Sequence, residues 1–223
     1  MKSKKILICG VHVPFVYGGS EIAVESLRDA LTKRGHEVDV MKLPFKGSPA
    51  NEGIIRHALM WRLVDLSDRN IDLVIATNFP SYLVKHHNKV TWLYHQYRQA
   101  YDKYGTEYGE FTGSQKDTRI REMIINMDNA ILPESKKIFT NSKNTAERLK
   151  RFNNIEGIPL YHLPRYFGRY RCDSYDDYIL SVGRLEKIKR IDYLVEAMKY
   201  TNRLRCLIVG PGPEKEKLQG IIE

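Results

Sequence analysis

Two cationic side chains follow an apolar segment in the carboxyl-terminal part of the sequence. Arg184 comes directly after residues 178–183, which predict a strand, and Lys189 opens the next predicted helix. An arginine can bind two phosphate oxygens at once, and a lysine adds a point charge. Cations beyond the carboxyl end of a strand therefore favour an anion-binding site. The alternative interpretation is a solvated basic turn.

A glycine-containing loop separates the first apolar segment from a helical pattern. Gly18 and Gly19 precede Ser20 and Glu21 at the predicted start of the helix. Paired glycines let backbone amides approach a ligand, and a helix amino terminus favours negative charge. A plain helix cap is the alternative, for which Ser20 is well suited. The loop matches neither G-x-G-x-x-G nor a P-loop, so the dinucleotide-binding fingerprint is absent.

Two further candidates also lie where predicted strands end. His95 follows residues 90–94, and a histidine at the exit of a parallel strand faces the ligand crevice. Gly210 and Gly212 alternate with prolines after the strand predicted at residues 204–210. A structural histidine and a rigid turn before a helix remain the alternatives for these two segments.

Tyrosines recur at intervals of three and four residues after the fourth predicted strand. They are Tyr94, Tyr97, Tyr101, Tyr104 and Tyr108. On a helix they would form one aromatic stripe, and packing against the sheet edge is the favoured interpretation. The functional alternative is an acceptor platform that includes Tyr101 and Arg98, with Arg119 and Arg121 adding charge. Gly105 and Gly109 indicate that any helix here is short or broken.

The elements that must position these residues alternate between strand-like and helix-like segments, which predicts an α/β fold with a parallel sheet. Predicted strands cover residues 4–10, 36–43, 71–77, 90–95, 137–141, 160–163, 178–183 and 204–210, and predicted helices cover 20–34, 142–152 and 191–198. Residues 165–177 have no clear period and predict a linker. We therefore predict an amino-terminal domain over residues 1–164 and a partial second domain over residues 178–223.

The overall composition excludes several classes of protein. The net charge is +9 and the isoelectric point is near 9.3, which attracts anions without choosing among them. The three cysteines have no metal-ligand spacing, so we exclude thiol and zinc chemistry and expect no metal. The apolar runs are too short for a membrane span or a signal peptide, which predicts a cytoplasmic location. Lysines and arginines form no dense basic stripe, so we expect no nucleic-acid partner.

Four segments, taken in order, resemble the group 1 glycosyltransferases of family four, which have the GT-B fold. They are Gly18-Gly19-Ser20-Glu21, His95, residues 181–189 and residues 208–213. Residues 139–142 also look like the segment that closes the amino-terminal domain in that family. The resemblance implies a complete Rossmann-like amino-terminal domain and the first part of a second Rossmann-like domain.

The resemblance also implies roles for the candidate residues. A nucleotide-diphosphate sugar would bind as co-substrate in the crevice between the domains, with no cofactor and no metal. Arg184 and Lys189 would neutralise the diphosphate, and Gly18 and Gly19 would present backbone to it. His95 would contact the donor sugar near the reacting carbon. Glu21, Gly210 and Gly212 would belong to the loops around the donor.

The implied reaction is sugar transfer with retention of configuration. Without a metal, arginine and lysine must stabilise the charge that builds on the departing phosphate. The expected acceptor is a sugar, polysaccharide or glycolipid, used in cell-surface synthesis, with peripheral contact at the inner face of the membrane. The alternatives are an inactive or partner-dependent chain that only binds phosphorylated ligands and, ranked lower, an NAD-dependent oxidoreductase.

The sequence departs from the family pattern in two places. Arg190 stands where the family usually has glycine. The later pair of glutamates that would contact the donor sugar and ribose would lie beyond Glu223, so we expect a second domain that is cut short. We also expect no sugar transfer by a polypeptide of these 223 residues alone.

Overall fold

The chain divides into two units, Met1–Phe167 and Gly168–Glu223. The computed structural model describes residues 2–47, 49–67, 69–201 and 204–222. Within these ranges, no helix is both long and apolar enough to cross a bilayer.

A six-stranded parallel sheet in the order β2-β1-β3-β4-β5-β6 forms the centre of the first unit. Its strands are β1 Lys5–His12, β2 Glu37–Pro44, β3 Leu73–Ala76, β4 Lys89–Leu93, β5 Ile138–Thr140 and β6 Ile158–Pro159. From β1 the chain goes to β2 on one side, and β3 returns to the other side of β1. The loops that follow β1 and β3 therefore diverge, which opens a crevice at the carboxyl ends of these strands.

The helices of the first unit cover both faces of this sheet. They are α1 Gly19–Thr32, α2 Gly53–Leu63, α3 Gln115–Ile131 and α4 Lys143–Asn153. Ala23 and Val24 of α1 pack on one face together with Ile8, while α2, α3 and α4 contribute to the larger apolar cluster on the other face. Because both faces are covered, the central strands can be almost wholly apolar.

Serine caps explain where two of the helices begin. The Ser114 side chain accepts a hydrogen bond from the Asp117 amide at the start of α3, and Ser142 does the same for the Thr145 amide at the start of α4. Each cap satisfies one amide that would otherwise lack a partner at a helix amino terminus. The cap of α4 fixes the helix that carries Arg148 beside the loop after β4.

The second unit has a much smaller core. Strands β7 Tyr178–Val182 and β8 Arg205–Val209 pair in parallel, and helices α5 Ile191–Met198 and α6 Lys215–Ile222 follow them. Leu185, Val195 and Leu218 form the buried cluster of this unit. Alternate residues on the other face of the strand pair are exposed, among them Leu180, Val182, Leu207 and Val209.

The α/β class and the parallel sheet predicted from the sequence are confirmed. Helices α2 and α3 lie where no helix is predicted from the sequence. Helix α2 carries apolar residues on most of its own faces, including the exposed Leu59 and Leu63. Its buried stripe therefore does not stand out in the sequence as a helical period. The buried stripe of α3 contains a carboxylate, Asp128, which breaks the apolar period. The strand predicted at residues 160–163 is also wrong, because β5 pairs with Ile158–Pro159 instead.

Candidate active site

A cavity of about 430 Å³ lies at the crevice where the strand order reverses in the first unit. Val11 and Val13 line it from the end of β1, and Asn78 and Phe79 from the loop after β3. His95 enters from the loop after β4. Open parallel sheets bind ligands at this position, beyond the carboxyl ends of the strands. The cavity is therefore the candidate ligand site of this unit.

The start of helix α1 forms one wall of the cavity, to which Ser20 and Glu21 contribute. Glu21 Oε2 accepts a hydrogen bond of 2.9 Å from the Gly18 amide, which fixes the loop against the helix. Gly18 has an extended backbone that any residue could adopt. A side chain at Gly19 would meet no atom within 4 Å. The fold of this unit does not itself require glycine at position 19, and the open space leaves its backbone accessible to a ligand.

His95 is held with its ring in a defined state. Its Nδ1 atom lies 2.8 Å from the Gln96 carbonyl oxygen, which can only accept, so Nδ1 carries the hydrogen. Burial lowers the pKa of His95, and the charges of Arg148 and Arg98 add to this effect. The imidazole is thus neutral near pH 7, and its Nε2 atom is a hydrogen-bond acceptor. A neutral acceptor of this kind suits a sugar hydroxyl.

The amide of Phe79 ties the His95 loop to its neighbour. It donates a hydrogen bond of 3.4 Å to the His95 carbonyl oxygen, and the Tyr94 amide donates one of 3.4 Å to the Thr77 carbonyl oxygen. The two loops that follow β3 and β4 are therefore joined at the floor of the cavity. His95 is positioned by backbone contacts on both sides.

Charged groups from the loop after β4 line the far side of the cavity. Arg98 binds both carboxylate oxygens of Asp102, with its closest contact at 2.5 Å. Lys103 is partly buried, and the described residues place no carboxylate within ion-pair distance of its ammonium group. Glu110 accepts hydrogen bonds from the Ala50 amide and the Gln99 side chain. Lys103 therefore supplies a charge to the cavity that no described carboxylate pairs with.

An aromatic surface completes the lining. Phe45, Phe79 and Tyr97 are buried and meet edge to face or tilted, with ring centroids 5.5 to 6.4 Å apart. The Tyr97 hydroxyl donates a hydrogen bond of 2.5 Å to the Gly47 carbonyl oxygen. A mainly apolar wall with a few fixed polar groups is typical of small-molecule sites.

Tyr101 lies in the core and does not line this cavity. Its hydroxyl donates a hydrogen bond of 2.7 Å to the buried carboxylate of Asp128, and its ring packs on Phe152. No helix carries the tyrosine series, because residues 98–100 form one turn of 3-10 helix and turns follow. Packing, the favoured interpretation, describes Tyr101. Arg121 stacks over Tyr104 at 4.1 Å and binds the Ala100 carbonyl oxygen, so it too serves the fold.

The predicted diphosphate-binding residues of the second unit lie on one short segment after β7. Arg184 is exposed and forms an ion pair of 2.8 Å with Glu186. Lys189 is exposed and ends a turn of 3-10 helix over Lys187–Lys189. Both cations can reach a solvent-borne anion, although Arg184 must share its charge with Glu186.

Gly210 and Gly212 support the backbone that carries Arg184. A Cβ atom at Gly210 would lie 1.8 Å from the Gly183 carbonyl oxygen, and one at Gly212 would lie 2.2 Å from that of Leu185. Hydrogen bonds join the same segments, from the Gly183 amide to Val209 and from the Leu185 amide to Pro211. Glycine is required here because the two loops touch through their backbones.

The structure thus brings Glu21, His95 and Arg98 to one cavity, with Gly18 bound to Glu21. Other residues of the lining are absent from the sequence-based prediction, namely Asn78, Gln99, Lys103 and Glu110. Asn78 had a usable signal, because it is a polar residue directly after a buried strand. Lys103 and Glu110 had none, since they reach the cavity through a loop of irregular backbone. Within the described ranges, no group of three or more metal-binding side chains is placed to hold an ion.

The carboxyl-terminal part of the chain matches a known family. Residues 165–223 fit the family model described as glycosyl transferases group 1. This confirms the resemblance found in the Arg184 and Gly210 segments, which lie inside the match. No curated protein matches the chain.

Two solved structures are similar to the chain. One is an alpha-glucosyltransferase in complex with UDP and a 13-mer DNA containing a HMU base, with 11% identity, a TM-score of 0.44, and coverage of 95% of this chain and 58% of that one. The other is an alpha-glucosyltransferase in complex with UDP-glucose and DNA containing an abasic site, with 12% identity, a TM-score of 0.38, and coverage of 90% and 55%. This chain spans a little over half the length of either.

The expectation from the sequence excludes a nucleic-acid partner, and this exclusion is wrong. Both of these solved proteins are described in complex with DNA. The expectation rested on the absence of a dense basic stripe along the sequence. The spread of lysines and arginines along the sequence is therefore not a ground for excluding nucleic acid.

Proposed function

We propose that this protein takes part in the transfer of a sugar from a nucleotide-diphosphate sugar to an acceptor. The match of residues 165–223 to the group 1 glycosyl transferases carries the proposal. Arg184 and Lys189 lie within that match, on the segment that follows β7. Their charges suit a diphosphate leaving group, whose developing negative charge must be stabilised in the transition state.

The His95 cavity supports a role in sugar recognition. The neutral imidazole offers an acceptor atom, and Glu21, Asn78 and Lys103 offer further polar contacts in the same lining. A sugar presents several hydroxyl groups on a small ring, which such a set of acceptors and donors can recognise. We propose that the Nε2 atom of His95 accepts a hydrogen bond from a hydroxyl of the donor sugar.

The test is sugar transfer by the native protein. The protein is tagged in its native cells, purified with whatever accompanies it, and incubated with labelled nucleotide-diphosphate sugars. We expect transfer or donor hydrolysis, reduced by about 100-fold or more in His95→Ala because a contact at the reacting centre is lost. His162→Ala is the matched control, since His162 is exposed outside the cavity lining and should leave the rate unchanged.

The outcomes separate the proposed function from its alternative. Donor binding without any sugar release would favour a protein that only binds phosphorylated ligands. Binding of no nucleoside diphosphate at all would contradict both functions. If His95→Ala transfers sugar as fast as the original protein, the proposed enzymatic activity is supported and the proposed role of His95 is contradicted.

Retention of configuration is the finer part of the proposal. It is supported by the resemblance of the motifs. The anomeric configuration of the first product, measured by proton NMR before mutarotation, tests it directly. A role in cell-surface polysaccharide or glycolipid synthesis is likewise proposed from the resemblance, and a labelled product in the cell-envelope fraction is its expected sign.

A further inference from the structure

A second cavity, of about 270 Å³, lies beside the His95 cavity and shares Arg98 with it. We call it the arginine groove, because Arg98, Arg148 and Arg151 line it. Arg98 belongs to the loop after β4, while Arg148 and Arg151 belong to α4. Arg148 and Arg151 do not stand out in the sequence, since α4 has the pattern of a polar surface helix.

The positive charge at the inner end of the groove is incompletely balanced. The Arg148 side chain is only 12% exposed, and its carboxylate partner Asp102 lies at 3.7 Å. The same carboxylate is already bound by Arg98 at 2.5 Å. Among the described residues, Arg148 has one other polar contact, 3.4 Å from Nε to the Gln96 side-chain oxygen. Two arginines thus share one carboxylate, although a largely buried charge is stable only with close partners.

Arg151 adds a third charge on the same face of the helix. It lies three residues after Arg148, and side chains at that spacing are neighbours on a helix surface. Its guanidinium group stacks 5.1 Å from the centre of the Phe152 ring. The part of the chain that the structure describes places no carboxylate within ion-pair distance of Arg151. Glu147, the other acidic residue of the lining, is exposed and has no ion pair among the described residues.

We infer that the arginine groove binds a phosphate group carried by the acceptor. Arginine side chains bind phosphate oxygens through paired N–H groups, and a phosphate would give Arg148 a closer charged partner than the shared Asp102 carboxylate. Because Arg98 lines both cavities, an acceptor held by its phosphate in the groove can extend a hydroxyl toward His95. The identification of the ligand as an acceptor rests on the proposed function, whereas the binding of a phosphate is argued from the residues of the groove alone.

The dimensions of the groove favour a small phosphorylated molecule. A volume of about 270 Å³ is below that of a drug-sized ligand site and suits one phosphate with part of a sugar ring. Binding to a nucleic-acid backbone depends on cations spread along a surface, whereas these three arginines converge on one place. A monophosphorylated sugar is therefore the acceptor class that we assign.

The experiment is a calorimetric titration of the chain with glucose 6-phosphate and with glucose, which differ only in the phosphate. We expect saturable binding of glucose 6-phosphate and none of glucose at the same concentrations. Arg151→Gln and Arg148→Gln should each weaken binding by about tenfold or more, because each removes a charge-assisted contact. Lys150→Gln is the matched control, since it removes a charge from the same helix outside the groove and should change affinity less than about twofold.

Two additions keep the result unambiguous. Arg148 is largely buried, so Arg148→Lys, which keeps the charge, shows whether loss of binding follows from charge or from misfolding. The titration is repeated in Arg184→Ala, which removes a cation proposed to bind diphosphate in the second unit. Binding of glucose 6-phosphate that survives Arg184→Ala and is lost in Arg151→Gln supports the groove.

Other sources of phosphate are tested in parallel with a single-stranded oligonucleotide and with vesicles of phosphatidylcholine and phosphatidic acid in equal parts. The assignment would be overturned if the oligonucleotide or the vesicles bind and glucose 6-phosphate does not. It would also be overturned if neither Arg148→Gln nor Arg151→Gln changes the affinity for glucose 6-phosphate. Phosphate binding without sugar transfer by the native protein would support the arginine groove as a phosphate site and contradict the proposed function. Sugar transfer to neutral acceptors, unaffected by Arg151→Gln, would support the proposed function and contradict the role of the groove.

Discussion

At the scale of single residues, burial sets the protonation state of the groups nearest the candidate site. His95 is kept neutral, so it can accept a hydrogen bond but cannot provide a fixed positive charge at neutral pH. Charge must come instead from Arg98, Arg148 and Lys103, which surround the two cavities. Sugar recognition and anion recognition are thus assigned to different side chains.

Asp128 is a second residue whose state depends on burial. Its carboxylate accepts hydrogen bonds of 2.7 Å from Tyr82 and 2.7 Å from Tyr101 in the core. Burial raises the pKa of Asp128 from 3.8 to about 7, and the two hydrogen bonds oppose the rise. The folded state therefore holds this proton more tightly than the unfolded chain does. Its contribution to stability is present at low pH and is lost as the pH rises through about 7.

We predict that Asp128→Asn removes this pH dependence. The free energy of unfolding of the original chain should fall, relative to that of the variant, as the pH increases from 3.8 to about 7. Urea unfolding followed by tryptophan fluorescence measures the difference at each pH. Glu122→Gln, on the exposed side of the same helix, is the control. A stability difference between Asp128→Asn and the original chain that does not vary with pH would show that the carboxyl is not buried as described.

At the scale of elements, the second unit depends on two loops that touch through their backbones. Gly210 has a φ of 149° and leaves no room for a side chain against the Gly183 carbonyl. This contact holds the end of β7, from which Arg184 emerges. The glycines of this segment are therefore needed by the fold before any ligand is considered.

Gly210→Ala should destabilise the second unit by about 2–3 kcal/mol or more, because the added methyl group forces the loops apart. Hydrogen exchange of the β7 and β8 amides is the measurement, since it reports this unit separately from the first. Gly220→Ala in α6 is the matched control, because nothing lies within 4 Å of the added atom. Equal protection in Gly210→Ala and the original chain would contradict the close contact of the two loops.

The segment before α5 shows the physical reason for the glycine that the family usually has. Arg190 occupies a left-handed conformation with a φ of 51°, which favours glycine. Its guanidinium group binds Asp192 and lies 3.4 Å from the centre of the Tyr193 ring. These contacts offset part of the backbone cost and explain how arginine is accommodated.

We predict that Arg190→Gly is more stable than Arg190→Ala by about 1 kcal/mol. Both variants lose the contacts to Asp192 and Tyr193, so the comparison isolates the backbone conformation. Hydrogen exchange of the α5 amides gives the difference in local stability. Equal protection in the two variants would show that position 190 is not held in the left-handed region.

At the scale of the whole molecule, the sequence predicts the features that depend on local patterns. The strands are mostly apolar runs, and His95 and Arg184 lie just beyond the ends of β4 and β7, so both the sheet and these candidates could be found without coordinates. The arginine groove could not, because Arg148 and Arg151 become part of a site only when α4 lies beside the loop that carries Arg98. For Tyr101 the spacing favours packing, but the pairing of its hydroxyl with Asp128 depends on how the core is assembled and has no signal in the sequence.

We propose above all that the chain binds the diphosphate of a nucleotide sugar through Arg184 and Lys189. Calorimetric titration with UDP, GDP, ADP and CDP tests it most directly. We expect one-to-one binding of at least one of these diphosphates, weakened about tenfold or more by Arg184→Ala and by Lys189→Ala. Lys199→Ala, which breaks an exposed ion pair with Glu196 in the same unit, should leave the affinity unchanged. Failure of all four to bind, or equal affinity in Arg184→Ala and the original chain, would contradict it.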